Sequence, residues 1–323
     1  MLPKGFFVRL DVVVPTYNRS HLVQKTILSF LRATVPSGLQ VNIFVVDNNS
    51  KDDTAAVVKQ LAESSSIPIT YVLETKQSSS FARNAGIAAG NGEFVGFIDD
   101  DEEIDASWFE VIFREFSSQG VDFIGGAVLG NWGAQAPDWL PPGYHSVIGV
   151  VEPKPRAKFG PDFSGNLMGG NAVVRRTVFE RIGMYATHLG RSADGLLSEE
   201  DADFCRRLEA ASIPGMYVPD LIIHHYIPPE RLTRKYHRRW AFWRAVSQGV
   251  LSRTDKEAVP HIAGVPRHRF GRAARSTVAY LGHRFKKDTQ GQAFADELAV
   301  WDLVGYVYGK HLINISKLYK AKA

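Results

Sequence analysis

An α/β fold built on a mostly parallel, helix-covered sheet is predicted by three features of this 323-residue sequence. Strand and helix signals alternate through roughly the first 130 residues. The strands are short, β-branched and almost continuously apolar, the pattern of strands covered on both faces. Two of them stop in carboxylates, at Asp47 and at Asp99, Asp100 and Asp101, the ends at which open parallel sheets bind ligands.

The elements follow in order. "RLDVVVPTY" reads as a strand ending at Pro15, with Asp11 ahead of its apolar run. "SHLVQKTILSFLRATV" has Val23, Ile27, Phe30 and Leu31 at helical spacing, and Pro36 and Gly38 stop it. "VNIFVVD" is a second strand, after which Ser50 can cap the helix of "KDDTAAVVKQLAES". "ITYVLE" is a third strand and "SSFARNAGIAAG" a helix of small residues closing on glycine. "EFVGFID" is a fourth strand, and "ASWFEVIFREFSSQG" is a helix burying Trp108, Ile112 and Phe116. "VDFIGGAVLG" is a fifth strand. Residues 131–165, rich in Gly, Pro and Trp, read as a long connection whose Trp132, Trp139 and Tyr144 can stack on a ligand's rings or serve as core aromatics. "GGNAVVRRTVFERIG" turns from strand to helix, "LLSEEDADFCRRLEAAS" starts an acid-rich helix with Cys205 on its packed side, and "GMYVPDLIIHHY" is a strand ending in two histidines. Beyond Pro228 and Pro229 the chain is basic and helical.

Composition narrows the class. Hydrophobic residues at 45% and charged residues at 22% fit a folded globular chain. One cysteine excludes an intrachain disulfide and a cysteine-rich zinc site. The N-terminal apolar pieces are broken by Lys4, Arg9 and Asp11, so neither a signal peptide nor a membrane span of about 18 apolar residues is expected. A cytosolic setting follows, with the option of a peripheral position on the membrane.

The run "GFIDDDEEID" is the sharpest chemical signal. Three adjacent carboxylates repel and raise one another's pKa, so a positive partner is required. Hard oxygens suit Mg²⁺ or Mn²⁺, cations that take one or two carboxylates and complete their shell with water and phosphate oxygens. A nucleoside diphosphate is the ligand this implies. The run lacks the glycine of a calcium-binding EF-hand loop, and the chain has no P-loop.

"VVVPTYNR", "VVDNNSKDDT", "ARNAGIAAGNGEFVGFIDDD", "GGNAVVRR" and "SEEDADFCRRL", in this order and spacing, resemble the inverting glycosyltransferases of family 2, which have the GT-A fold. The resemblance spans about residues 8–230. It implies a GT-A domain over residues 1–229, with a nucleotide-binding half at about 8–130 and an acceptor-binding half at about 131–229. A basic, mainly helical extension occupies 230–323. Pro15, Thr16, Tyr17 and Arg19 would line the base pocket, and Asp47 would accept a hydrogen bond from the base. Asp99 to Asp101 resemble the family's DxD-type motif. Asp101 is the expected metal ligand, and Asp99 or Asp100 holds the ribose, with the division among the three left open and Asp99 a second candidate for the metal. Arg83 would touch the diphosphate or steady the carboxylates, unless it is an ordinary exposed ion-pair partner. "SEED" resembles the family's glutamate–aspartate signature, which makes Asp201 the general base and Glu200 its alternate or an acceptor contact. His225 is preferred over His224 as a third metal ligand or diphosphate contact, because its place three residues before Pro228 resembles the family's spacing; alternate residues of a strand face opposite ways, so one of the two faces the site. Gly169, Gly170 and Asn171 would shape the acceptor side.

The activity implied is metal-dependent transfer of a sugar from a nucleotide-diphosphate donor to a hydroxyl of a glycan or lipid-linked acceptor. The alternatives are a non-catalytic nucleotide-sugar-binding module and a nucleotidyltransferase on a similar sheet. For "RLTRKYHRRWAFWR" and "RHRFGRAARS", nucleic-acid binding, docking on an anionic membrane and a plain helical lid compete. The amphipathic tail with Trp301, Val304, Tyr308 and Leu312 favours a membrane surface or self-association over nucleic acid.

Overall fold

The computed structural model describes residues 7–118, 120–140, 142–160, 169–189, 199–253, 258–283 and 290–313. The chain divides into two compact units. The first comprises Met1–Asn131, Gly149–Ala193 and Glu200–Tyr226, and the second Trp132–Ile148, Asp194–Glu199 and Ile227–Ala323.

The first unit opens with β1 (Val8–Thr16), α1 (Ser20–Arg32), β2 (Leu39–Asp47), α2 (Thr54–Ser64), β3 (Ile69–Leu73), α3 (Ser79–Ala89) and β4 (Phe94–Phe97). These four strands form the parallel half of the sheet, in the order β3-β2-β1-β4. There follow β5 (Glu102–Ile104), α4 (Trp108–Ser117), β6 (Phe123–Trp132), β7 (Ala157–Lys158), β8 (Ala172–Arg175), α5 (Arg176–Ile182), α6 (Glu200–Ala210) and β9 (Gly215–Ile227). The sheet continues from β4 through β8, β6, β9 and β5, and β7 pairs with β9. The strand expected as fifth, β6, runs antiparallel to β8, and β8 antiparallel to β4. The acid run therefore leaves the sheet beside the junction of its parallel and antiparallel halves.

Burial explains the unbroken apolar strands. Val12 and Val14 of β1 pack with Val23, Ile27 and Phe30 of α1 and with Trp108, Phe109 and Ile112 of α4. Val13 faces the other way, among Ala82 and Ile87 of α3, Val178 and Phe179 of α5, and Phe204 and Leu208 of α6. Each such side chain contributes roughly 1.5–3 kcal/mol on leaving water.

One local expectation changes, and two features come from the tertiary structure. Ser50 does not cap α2: the helix begins at Thr54, whose N–H donates to Asp52 (3.2 Å), while Ser50 Oγ accepts the Asn18 N–H (2.9 Å). Asp11 lies within β1, ahead of its valine run as expected; it is fully buried and pairs with Arg176 at 2.6 Å. "EEI" forms β5, held edge-on by β9 with Glu102 opposite His225, a pairing that local pattern does not reveal.

The second unit contains α7 (Arg234–Leu251), a hairpin of β10 (His261–Ile262) and β11 (Val265–Pro266), α8 (Arg267–His283), α9 (Gln290–Val307) and a π-helical turn, Tyr308–Leu312. α7 and α9 cross closely at Gly305, where a Cβ would collide with the Phe242 carbonyl. Trp139 and Tyr144 pack here as core aromatics against Ala241, Phe294 and Leu298, and Trp132 lies edge-on to His145. No helix among the described residues is long and apolar enough to cross a membrane. The end of the amphipathic tail, 314–323, lies outside the described residues.

Candidate active site

β1 and β2 run in register and end together, with Thr16 beside Asp47. Each is followed by an asparagine at positive φ, Asn18 (φ 52°) and Asn49 (φ 68°), a conformation its short polar side chain tolerates. The two turns are stitched by hydrogen bonds from Asn18 N–H to Ser50 Oγ and from Lys51 N–H to Asn18 Oδ1 (2.6 Å). Asp47 is buried between them. Its Oδ1 accepts the Ser50 N–H and its Oδ2 the Tyr71 hydroxyl, both at 2.8 Å. Burial, with Asp47 adding to it, pushes the Tyr71 phenol up to about 12.

The carboxylates after β4 point in different directions, and each meets a cation. Asp100 is buried, accepts Thr16 Oγ1–H at 2.8 Å and meets Arg19 Nη1 at 2.9 Å. Burial pushes its carboxyl up to about 6, with the Asp101 charge adding and Arg19 opposing. Asp101 Oδ2 lies 3.1 Å from the same Arg19 nitrogen, and its Oδ1 lies 3.6 Å from His225 Nε2. Burial works against the Arg19 charge, yet Asp100 and Asp101 outweigh it and raise its pKa. Thr16 and Arg19 thus turn onto the acid run, while Pro15 and Tyr17 stay half-buried at the end of β1 and beyond it. Asp99, partly exposed, meets Arg83 Nη2 at 3.1 Å.

Arg83 is the hub. It projects from α3, is almost fully buried, and lies over the Tyr185 ring. Its Nη1 reaches Asp201 Oδ1 at 3.3 Å and Glu200 Oε1 at 3.6 Å. Burial works against its charge, but Asp201 and Asp99 outweigh it and hold the guanidinium firmly protonated. It steadies carboxylates, one of the roles expected of it, and it is no exposed surface cation. The two acids that open α6 differ. Glu200 is buried and accepts Ser79 Oγ–H at 2.8 Å, whereas a third of the Asp201 side chain remains exposed.

Gly170 lets the chain pass close to the acids: a Cβ there would overlap the Glu102 carboxylate. Asn171, expected on the acceptor side, is fully buried and structural, accepting Trp108 Nε1–H and donating to the Ala127 and Leu221 carbonyls. His225 faces Asp101, and His224, on the opposite face of β9, lies 3.8 Å from half-buried Asp105.

Sequence reasoning missed Glu102, Tyr71 and Ser79. Glu102 is buried, its Oε2 accepts the Asp99 N–H at 2.7 Å, and burial with Asp99 and Asp101 drives its pKa well above the ordinary range. It read as one more acid of a run, and Tyr71 and Ser79 carry no local signal at all.

Among the described residues no cluster of three or more Asp, Glu, His or Cys closes on one point as a metal cage. Asp101 Oδ1 and His225 Nε2 nonetheless form a carboxylate–imidazole pair, a donor set that fits a divalent cation retaining water and phosphate ligands.

A mixed sheet with this acid run beside the junction of its parallel and antiparallel halves has the architecture of a GT-A-like fold. Among solved structures, the chain superimposes on the mannosyltransferase PcManGT from Pyrobaculum calidifontis, in complex with GDP-Man and Mn²⁺, with a TM-score of 0.62 at 19% identity, covering 96% of this chain and 90% of that one. It superimposes on S. aureus TarS 1–349 in complex with UDP with a TM-score of 0.52 at 15% identity, covering 93% and 91%. The chain belongs to glycosyl transferase family 2, whose model matches residues 11–183. Curated relatives include the succinoglycan biosynthesis protein ExoM of Rhizobium meliloti, 26% identical over 76% of this chain and 75% of that protein. The glucosyl-dolichyl phosphate glucuronosyltransferase of Haloferax volcanii is 25% identical over 76% and 77%. This chain is a glycosyltransferase.

Proposed function

We propose that the enzyme is a metal-dependent, inverting glycosyltransferase that moves a sugar from a nucleotide-diphosphate donor to a hydroxyl of a glycan or lipid-linked acceptor in polysaccharide or glycoconjugate synthesis. The observation that carries this reading is the bridge made by Arg83 between Asp99, beside the donor end of the sheet, and Asp201, at the start of α6. One buried guanidinium sets the spacing between a donor-side and an acceptor-side carboxylate.

Asp201, partly open to solvent, takes the proton of the acceptor hydroxyl as its oxygen attacks the anomeric carbon. A single displacement inverts that carbon. Glu200, buried against Ser79 and Arg83, orients the start of α6 rather than meeting the acceptor. Asp47 takes the base, and Pro15 and Tyr17 flank it. Asp99 or Asp100 holds the ribose. Asp101 and His225 would hold Mn²⁺ or Mg²⁺, with Asp99 on the flank; when bound, the cation supplies charge neutralisation for the departing diphosphate. Arg19 occupies the Asp100–Asp101 side and relieves their repulsion there. The nucleotide-binding half at 8–130, the acceptor half at 131–229 and the basic extension at 230–323 complete this assignment. The extension contacts the cytoplasmic membrane face peripherally, where a lipid-linked acceptor would lie, and self-association through it is the competing use.

Support comes from the relative whose name includes glucosyl-dolichyl phosphate, and from the neighbour bound to GDP-Man and Mn²⁺. The test is donor turnover across a nucleotide-sugar panel, with Mn²⁺, with Mg²⁺ and with chelator, in wild type and Asp201→Asn. Turnover that requires metal and falls by about 10²–10⁴-fold in the variant, with nucleotide binding kept, is expected. Nucleotide binding without turnover in wild type would leave the non-catalytic module standing instead.

A further inference from the structure

The second unit carries a surface that the transfer chemistry does not use. Lys235, Arg238, Arg239 and Phe242 follow one another at i, i+3, i+4 and i+7 and share one face of α7. They line a groove of about 270 Å³ together with Trp301 of α9. Phe242 is edge-on to Trp301, with ring centres 6.4 Å apart, and lies 5.7 Å from the Tyr308 ring. The apolar strip continues along α9 and the turn after it through Val304, Tyr308 and Leu312, all exposed, with Leu312 69% accessible.

The charges on this face fall into two kinds. Arg238 is neutralised by Glu297 at 2.5 and 2.9 Å, and the same carboxylate accepts Trp301 Nε1–H at 3.1 Å, which fixes the indole. Lys235 and Arg239 are exposed and join no ion pair among the described residues. The wider charge distribution points the same way. Residues 230–323 hold 19 of the 38 Lys+Arg but only 7 of the 34 Asp+Glu, so this stretch is strongly positive while the preceding 229 residues are net negative.

We propose that the face formed by Lys235, Arg239, Phe242, Trp301, Val304 and Tyr308 docks on an anionic phospholipid surface. This rests on the peripheral membrane contact read above and names the surface that makes it. Aromatic rings with polar tips settle at the headgroup level, aliphatic side chains enter below, and unpaired cations meet the lipid phosphates. A second copy of the chain on the same face would bring Lys235 and Arg239 against their own like charges. Nucleic acid would leave Val304 and Leu312 without an apolar partner.

The test is co-sedimentation of the full chain with phosphatidylcholine vesicles, with and without phosphatidylglycerol, at low and high salt. Wild type is expected to sediment with the phosphatidylglycerol vesicles and to be released by salt. Lys235→Gln/Arg239→Gln is expected to lower partitioning about 30-fold, two charges each worth about a factor of five. Trp301→Ala is expected to lower partitioning and keep the salt dependence. Turnover on a water-soluble acceptor, measured alongside, stays at the wild-type level in all variants and shows that they fold. Wild-type sedimentation that the double variant leaves intact overturns the docking face while membrane contact stands. No sedimentation with anionic vesicles overturns both, as does a vesicle-independent dimer, or retention of a duplex oligonucleotide in place of vesicles. Transferase activity is read separately from either result.

Discussion

Arg83 on α3 reaches Asp201 on α6 at 3.3 Å, across 118 residues of sequence. The contact is inside the protein: the guanidinium is 4% exposed and shares its charge with Asp99 and Glu200. Removing one side of a buried charge cluster leaves the others uncompensated, which costs far more than losing an exposed pair.

Arg83→Met is therefore expected to destabilise the protein by roughly 3–5 kcal/mol. Urea unfolding followed by circular dichroism measures it. Arg83→Lys keeps the charge but loses the planar fork that serves three carboxylates, so it should recover part of the stability and little of the turnover. A lysine variant with wild-type kcat would show that only charge is needed.

Asp11 and Arg176 provide a structural control away from the chemistry. Asp11 accepts from the Gly92 N–H and from Arg176, both at 2.6 Å, and is fully buried. Arg176→Met should cost roughly 3–5 kcal/mol in chemical denaturation. At temperatures where the variant is folded, its kcat/KM should match wild type.

Tyr71→Phe removes the hydroxyl that holds Asp47 Oδ2. A loss of about 1 kcal/mol in stability is expected. Asp47 is then held only through Oδ1, and nucleoside diphosphate affinity, measured by calorimetry, should fall several-fold with little change in kcat. An unchanged Kd would remove Asp47 from the base pocket.

His237 makes stability depend on acid. It is fully buried beside Trp139 and Phe294, and burial pulls its imidazole down from 6.5 to about 4. Because the folded state resists protonation, the unfolded chain binds the extra proton between these values. Stability from this residue is complete above about pH 6.5 and is lost as pH falls towards 4, by up to about 3 kcal/mol. His237→Leu should flatten the pH dependence of the urea midpoint over that window. An equal slope in both proteins would show that other groups carry the acid sensitivity.

The parallel strands and their helices were legible because each is marked by nearest neighbours: β-branched runs, 3.6-residue apolar spacing and glycine or proline stops. Strand alternation required only that His224 and His225 face opposite ways; choosing His225 rested on the resemblance of its spacing to Pro228. The antiparallel half was harder. β5 is three residues long and exists because β9 supplies its partner, and Ser50 looked like a cap until the β1 and β2 turns came side by side.

By itself, then, the order of residues determined the alternating α/β architecture, the placement of carboxylates at strand ends, and the acidic run's need for a positive partner. The tertiary structure decided which cations meet those acids, Arg19 on Asp100 and Asp101, and Arg83 on Asp99 and Asp201. It also gave Asp11 a buried ion-pair partner in Arg176, and set Glu200 inward while leaving Asp201 open. The reason is range. Strand and helix propensity act over a few neighbours, whereas the pairing and burial of a charge depend on groups brought together from distant parts of the chain.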